Sequence, residues 1–116
     1  MLNQTNIYMK YTVLQIPFPR TEAEEKIFCK YAYRSLDRID YVHPEYYEKI
    51  YEGEIETCLT DEFEILEEIF TLLNINYPED YKGHSLSVSD IVVLNGKKYY
   101  CDSYGWVEIE FETKNI

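Results

Sequence analysis

The sequence predicts an α+β domain in which two helices pack on a mostly antiparallel sheet of about five strands, in the order β-α-β-α-β-β-β. Helix-cap signatures at Thr21 and Thr60 each precede apolar residues at helical spacing. Runs rich in strand-forming residues precede the first predicted helix and follow the second. The pair Asn95-Gly96 lies between two such runs and favours the tight turn of a β-hairpin.

In the first half of the chain the patterns predict a strand, a helix and a second strand. The first strand covers 11–16 and is closed by the prolines that follow it. Thr21 and Glu24 form a capping box, so a helix begins there, and its apolar stripe continues to an end near 35–37. Imperfect alternation over 46–54 predicts the second strand.

In the second half Thr60 is predicted to cap a helix that ends at the asparagines and proline of 74–78. The apolar run 86–94 predicts a buried strand, which the hairpin turn joins to an antiparallel strand at 97–101. In the last predicted strand, 106–112, apolar residues alternate with glutamates, which is typical of a half-buried strand with an acidic outer face.

Size and composition predict one globular domain. The chain has 116 residues, of which 46% are hydrophobic and 28% charged, enough to build a core without disulfide or metal staples. Residues 1–9 are expected to be a flexible N-terminal lead-in, and 10–116 a single domain. No apolar run reaches 18 residues, which excludes a membrane-spanning helix of the usual kind.

Cysteine use and the N-terminal residues favour a cytoplasmic location. The three cysteines, Cys29, Cys58 and Cys101, form no CxxC pair and would leave an odd thiol under oxidation. The first ten residues do not have the cationic and apolar regions of a secretory signal. We therefore expect reduced thiols.

The charge balance is strongly acidic, with 22 acidic residues against 11 basic ones and a net charge of −11. Such a surface repels phosphate, so we expect no direct DNA binding, and it attracts a basic partner or a basic groove that normally holds nucleic acid. The alternative interpretation is that the surplus acid only keeps the protein soluble.

The acidic residues are concentrated in two places. Ten of them fall between positions 45 and 68, where Lys49 is the one opposing charge, and three alternate along the last predicted strand. Several would have to act together, because one exposed ion pair contributes at most about 1 kcal/mol. They could equally be a solvated surface that discourages sheet aggregation. These partner-binding candidates are Glu45, Glu48, Glu52, Glu54, Glu56, Asp61, Glu62, Glu64, Glu67, Glu68, Glu108, Glu110 and Glu112.

Basic residues recur every four positions along the first predicted helix, at Lys26, Lys30, Arg34 and Arg38. A stripe of this kind can contact RNA or an acidic patch of a partner. It can also pair with acidic residues of the same chain or stay solvated, and we favour that interpretation.

His84, Asp90 and Asp102 are the residues that could form a hydrolytic centre, with His84 as general base. The alternative is that His84 and the neighbouring serines only satisfy backbone groups, as such residues often do at turns. In an extended segment His84 and Asp90 would lie about 20 Å apart, whereas a loop at Gly83 would bring them closer. We favour the structural role and assign no catalytic residue.

No metal or cofactor is expected, although Asp90 and Asp102 could jointly hold a magnesium ion if the hairpin aligned them. The two histidines are far apart in the sequence, and no cysteine pair has zinc-ligand spacing. Gly83, Gly96 and Gly105 do not form a phosphate-binding motif. Gly83 and Gly105 are predicted instead to allow backbone angles that other residues resist.

The most distinctive stretch is YKGHSLSVSD at 81–90, preceded by PED at 78–80 and followed by YYCDSYGW at 99–106. Together with YEKIYEG at 47–53 and IFTLLN at 69–74, it resembles the YodL-like domain, which is common on mobile elements of Firmicutes. The resemblance covers nearly everything from residue 10 to residue 111.

Small acidic proteins of this type look like anti-CRISPR inhibitors of type II effector nucleases, which block guide-RNA loading or provoke guide-RNA truncation. The resemblance implies a non-enzymatic inhibitor that binds the basic RNA-binding region of the guide-free nuclease through its acidic surface. One alternative is a ribonuclease-like inhibitor that truncates guide RNA with His84, Asp90 and Asp102. Another is an accessory protein of a mobile element with no nuclease target.

Overall fold

The computed structural model describes residues 5–110 and confirms the predicted α+β class and element order. The elements are β1 (Ile7–Gln15), α1 (Glu22–Tyr31), β2 (Glu48–Thr57), α2 (Glu62–Ile75), β3 (Ile91–Leu94), β4 (Lys97–Asp102) and β5 (Gly105–Ile109). All neighbouring strands are antiparallel, in the order β2-β1-β3-β4-β5. This order leaves β2 and β5 as the two edges of the sheet.

The sheet is covered on both faces. Helix α2 lies on one, here called the α2 face, where its buried residues pack against β1, β3, β4 and β5. The other, here called the far face, is covered by residues from 36–47. Consecutive residues of β3 are therefore buried on opposite sides, which explains its uninterrupted apolar sequence. The helix residues that form the α2-face core are Ile65, Leu66, Ile69 and Leu73.

Helix α1 begins as predicted, because the Thr21 hydroxyl accepts a hydrogen bond from the Glu24 amide at 3.1 Å. It ends at Tyr31, so the predicted end near 35–37 is wrong. Ala32 is extended, and Tyr33 adopts φ 62° while its amide donates to the Ser89 hydroxyl at 2.9 Å, away from the helix. The predicted four-residue basic stripe does not form, because its last two members lie beyond the helix.

Helix α2 is capped one residue later than predicted. The Asp61 carboxylate accepts a hydrogen bond from the Glu64 amide at 3.3 Å, and the Asp61 carbonyl accepts the first helical bond from Ile65. The assignment of the cap to Thr60 is therefore wrong. A carboxylate satisfies the same free amides and also meets the positive end of the helix dipole.

The first two strands are longer than, or shifted from, the predictions. Strand β1 begins at Ile7, inside the expected lead-in, because 7–9 pair with 55–57 of β2. Strand β2 begins later than predicted, after a short 3₁₀ turn at Pro44–Tyr46, and it continues beyond 54 to Thr57. The register between the two strands shifts after Val13, where β2 has one extra residue.

The run 86–94 is a strand only in its second half. Both backbone groups of Leu86 bond to the Asn74 side chain, with N–O distances of 2.6 and 3.1 Å, and Ser89 has φ 87°. A ladder cannot form through such a segment, so β3 starts at Ile91. The hairpin prediction is confirmed, since Asn95 and Gly96 have φ of 53° and 77° between β3 and β4.

Strand β5 does not separate an apolar inner face from an acidic outer one. Trp106 is buried on the α2 face, and by alternation Glu108 lies on that same face. Val107 lies on the opposite side and is 40% exposed. Residues 111–112, which complete the predicted pattern, lie outside the described part of the chain. Both faces of the sheet are covered. The alternation of apolar residues along this edge strand therefore does not show which of its two faces is buried.

Candidate functional site

A cluster of polar side chains is buried where the end of β1 meets the 81–90 loop. We call Gln15, Tyr81, His84 and Asp90 the buried polar centre. The Gln15 amide nitrogen lies 2.9 Å from the His84 carbonyl, 3.1 Å from an Asp90 carboxylate oxygen and 3.2 Å from the Tyr81 hydroxyl. The Tyr81 hydroxyl donates to the same His84 carbonyl at 2.6 Å. One glutamine thus joins all three loop residues to the sheet.

Asp90 is the acid of this centre and is 1% exposed. Burial raises the pKa of its carboxyl well above the usual range, and hydrogen bonds from the Ser87 amide and Gln15 act in the opposite direction. Both donors approach the same oxygen, Oδ2, at 2.8 and 3.1 Å. This carboxyl holds the turn 87–90 closed.

Two of the three sequence-predicted catalytic candidates come together. His84 Nδ1 lies 3.8 Å from Asp90 Oδ2, because the loop at Gly83 folds back instead of extending. The same nitrogen lies 2.9 Å from the Ser85 carbonyl, an acceptor, so we assign the Nδ1 proton to that bond and leave Nε2 as the basic nitrogen.

Asp102 does not join them. Its carboxylate accepts hydrogen bonds from the Leu36 amide at 3.2 Å and the Ser103 amide at 2.9 Å. It follows Cys101, which packs on the α2 face, so Asp102 lies on the far face of β4. The pair that could do acid–base chemistry is therefore His84 and Asp90.

Gly83 is required for space. A Cβ atom there would lie 2.5 Å from the Ile50 methyl, 2.7 Å from the Gln15 amide oxygen and 2.9 Å from the Tyr81 hydroxyl. The expectation that it supplies an unusual backbone angle is wrong, whereas Gly105, with φ 119°, fits that expectation. The loop passes so close to the buried polar centre that no side chain fits at 83.

Gln15 and Tyr81 were not among the sequence-predicted site residues. A glutamine at the end of an apolar strand is a usable signal, because a buried amide requires polar partners. Tyr81 belongs to the distinctive 81–90 stretch, but nothing in its spacing indicates that its hydroxyl reaches a backbone carbonyl of the same loop.

The predicted partner-binding acids do not form one surface. One group surrounds the Tyr99 side chain, which donates to the Glu62 carboxylate at 2.9 Å and lies opposite Glu108 in the β4–β5 register. Burial first, then the negative charges of Glu62, Glu108 and Asp61, raise the pKa of Tyr99. Burial raises the pKa of Cys101, the next residue on that face, to about 12. The nearby charges of Asp90, Glu67 and Asp102 act in the same direction.

We call this group the α2–β5 acidic surface. Phe63 packs against Tyr99 at its centre and is 47% exposed. Glu62 is partly neutralised by Lys97, whose ammonium lies 3.3 Å away. The surface consists of Asp61, Glu62, Glu67, Glu108 and the exposed Glu110 that follows β5.

A second group, here called the β2 acidic row, lies at the opposite edge of the sheet. Glu52, Glu54 and Glu56 alternate along β2 and are exposed. Glu52 pairs with Thr12 of β1. Thr12 lies on the far face, because the preceding residue, Tyr11, lies on the α2 face. The row therefore lies on the far face. The two acidic groups therefore lie at opposite edges of the sheet and on opposite faces.

Most of the remaining acidic candidates have contacts within the chain. Glu45 lies 3.2 Å from His43 Nδ1, and Glu48 lies 2.9 Å from the Arg20 guanidinium. Glu68 accepts a hydrogen bond from the Thr57 hydroxyl at 3.3 Å. Glu64 is exposed on the first turn of α2, and Glu112 lies outside the described residues.

Over residues 5–110 no group of three or more His, Cys, Asp or Glu side chains is placed to hold a metal ion. No helix in that range has the length and apolar character needed to cross a bilayer.

Comparison of the sequence with family models assigns the chain to a family. The model of the YodL-like domain matches residues 10–111, which is most of the chain and includes every residue of the buried polar centre. The chain therefore belongs to the YodL-like domain family. Comparisons with curated proteins and with solved structures gave no match.

Proposed function

We propose that this chain is a non-enzymatic inhibitor of a type II CRISPR effector nuclease, made by a mobile element and acting in the bacterial cytoplasm. It binds the basic RNA-binding region of the guide-free nuclease and hinders loading of the guide RNA. The choice of target rests on the resemblance of the 81–90 region and the short acidic chain to inhibitors of that kind.

The observation that carries the proposal is the α2–β5 acidic surface. Its carboxylates belong to two elements but converge on neighbouring residues of β4, which brings several negative charges onto one side of the molecule. The half-exposed ring of Phe63 lies among them. Clustered acids with an aromatic anchor suit a basic groove better than scattered surface charge does.

The contact surface is tested with two charge-reversal variants of equal size. One changes Glu67, Glu108 and Glu110 to lysine, and the other changes Glu52, Glu54 and Glu56, so each shifts the net charge by the same amount. We expect the first to weaken nuclease binding by at least ten-fold and the second to have a much smaller effect. Binding is measured by titration, and folding is checked by circular dichroism.

The two variants test the acidic surface, and two further binding measurements test the loading step and the target. Equal losses would show that overall charge, and not the α2–β5 acidic surface, determines binding. If both folded variants inhibit as well as the parent, acidic mimicry is wrong. An inhibitor that binds the guided complex as tightly as the guide-free nuclease would contradict the loading step. A pull-down from cells carrying the nuclease that recovers no nuclease would favour the accessory-protein alternative.

A ribonuclease-like activity on guide RNA is the second candidate, and the 3.8 Å approach of His84 Nδ1 to Asp90 supports it. Against it, the His84 side chain is 14% exposed and Asp102 is bonded elsewhere. Labelled guide RNA incubated with nuclease and inhibitor should keep its length under our proposal. Shortening that His84→Ala abolishes, with binding retained, would establish the enzymatic alternative.

A further inference from the structure

The outward side of α2 carries a shallow groove with a volume of about 480 Å³, which we call the α2 groove. Leu72 and Ile75 provide its apolar side chains. Neither belongs to the buried residues of the helix that form the α2-face core, and Ile75 is 78% exposed. Apolar side chains that line a surface groove mark a place where another chain can bind. The residues that line it are Glu67, Glu68, Thr71, Leu72, Ile75 and Asn76.

Negative charge lies at both ends of the α2 groove. Glu67 and Glu68 line the end nearer the start of the helix. At the other end the helix stops at Ile75, with Asn76 as its cap, and its last turn contains no basic residue. The negative end of the helix dipole is therefore not neutralised by the helix itself.

The surroundings of α2 do not supply the missing positive charge. No lysine or arginine occurs from position 50 to position 81. Segments 57–60 and 85–87 and strand β5 all contact the helix, and none of them contains a lysine or arginine. Lys97 does contact the helix, but it lies 3.3 Å from Glu62 in the first turn, at the end away from the groove. The groove is therefore negative because of its own neighbours.

We propose that the α2 groove binds a basic amphipathic helix of a partner protein. The apolar face of that helix packs on Leu72 and Ile75, and its lysine or arginine side chains meet the negative charge at the two ends. Glu68 and Asn76 are separated by about 12 Å along α2, so the matching cations lie about two helical turns apart, with apolar residues between them. The groove adjoins the α2–β5 acidic surface through Glu67, but the proposal does not rest on a nuclease as the target.

The same charges disfavour the other occupants of such a groove. A second copy packed about a two-fold axis would bring Glu67 and Glu68 against the equally negative groove of its partner. Nucleic acids and anionic membranes carry phosphate, which this side of the molecule repels. A cationic helix is the occupant that gains from both the apolar side chains and the charge.

The probe is a fluorescein-labelled synthetic peptide of about four helical turns, with leucines along one face and lysines about two turns apart beside them. It is titrated with the full chain while its fluorescence anisotropy is measured. Replacing the lysines with glutamates should weaken binding by about ten-fold or more. A peptide of the same composition in scrambled order, which has no apolar face, should also bind weakly.

Two substitutions in the groove test its two components. Ile75→Ala removes apolar surface at an exposed position where alanine favours the helix, and it should weaken peptide binding about three- to five-fold. Glu68→Gln removes a charge but can still accept the hydrogen bond from Thr57, and it should weaken binding about two- to three-fold. Circular dichroism checks that both variants are folded.

Two matched substitutions elsewhere serve as controls. Tyr104→Ala removes a fully exposed ring from the β4–β5 turn, and Glu54→Gln removes a charge from the β2 acidic row. Both should bind the peptide as the parent does. The proposal is overturned if the scrambled or glutamate peptide binds as tightly as the amphipathic one. It is also overturned if Glu54→Gln weakens binding as much as Glu68→Gln, or if Ile75→Ala has no effect.

Sedimentation of the chain alone tests the second copy as occupant. We expect a monomer. A dimer that Ile75→Ala dissociates would assign the α2 groove to contact between two copies and would overturn the proposal.

Discussion

At the scale of single residues, the molecule depends on a buried acid whose hydrogen bonds all end on one oxygen. Asp90 accepts from Ser87 and Gln15 through Oδ2 alone. An asparagine can offer its amide oxygen in that place and keep both bonds. Asp90→Asn therefore removes the charge and keeps an acceptor for both hydrogen bonds.

We predict that Asp90→Asn changes the pH dependence of stability. Because burial raises the folded-state pKa of Asp90, the folded chain binds more protons, and this stabilising contribution is complete below about pH 4 and lost as the pH rises through the folded pKa. Relative to Asp90→Asn, the wild type should lose up to about 1.4 kcal/mol per pH unit in that window. Urea unfolding at several pH values measures this, and Glu54→Gln should run parallel to the wild type.

The predictions from sequence were least reliable at this scale. The approach of His84 to Asp90 depends on whether 84–90 is extended or looped, and serine-rich segments are compatible with both. The decisive residues, Asn74 and Gln15, are 10 and 69 positions from His84. A single sequence does not show that distant amides will replace a strand ladder.

At the scale of elements, the sequence predicts a feature correctly where neighbouring residues alone determine the backbone conformation. The Asn95-Gly96 turn and the start of α1 formed as predicted, because each requires only neighbouring residues. The end of α1 did not, because the contact that turns Tyr33 away comes from Ser89. The start of α1 is determined by neighbouring residues, whereas its end is determined by a tertiary contact.

We predict that substitution of Asp61 destabilises the N-terminus of α2, whereas substitution of Thr60 has little effect. Asp61→Ala removes the acceptor for the Glu64 amide and should lower the free energy of unfolding by about 1 kcal/mol. Thr60→Ala removes a neighbouring side chain that makes no cap and should change it by less than about 0.5 kcal/mol. Denaturant unfolding of both variants compares them directly, and equal losses would contradict the observed cap.

At the scale of the whole molecule, the fold class was predictable and the arrangement of charge was not. Element order follows from periodicity along the chain, but the placement of β2 and β5 at opposite edges follows from strand order. Acids that look continuous from 45 to 68 are therefore divided between two faces. The number of acidic residues can be read from the sequence, whereas the topology determines which of them lie together.

The net charge also leads to a stability prediction. Like charges at a net charge of −11 repel one another in the compact state, and salt screens them. The melting temperature should rise between about 0.01 M and about 0.15 M potassium chloride. Changing Glu67, Glu108 and Glu110 to glutamine should reduce this rise, and a wild-type melting temperature that is independent of salt would contradict it.

The loop at 81–90 has a further consequence for how the domain moves. The amide hydrogens of Leu86, Ser87, Ser89 and Asp90 all have acceptors within the protein, although none of them belongs to a helix or strand. Exchange with deuterium at these amides should therefore be slower than at loop amides that have no acceptor. These bonds hold the 81–90 loop in one backbone arrangement, so a partner would meet it as a preformed shape.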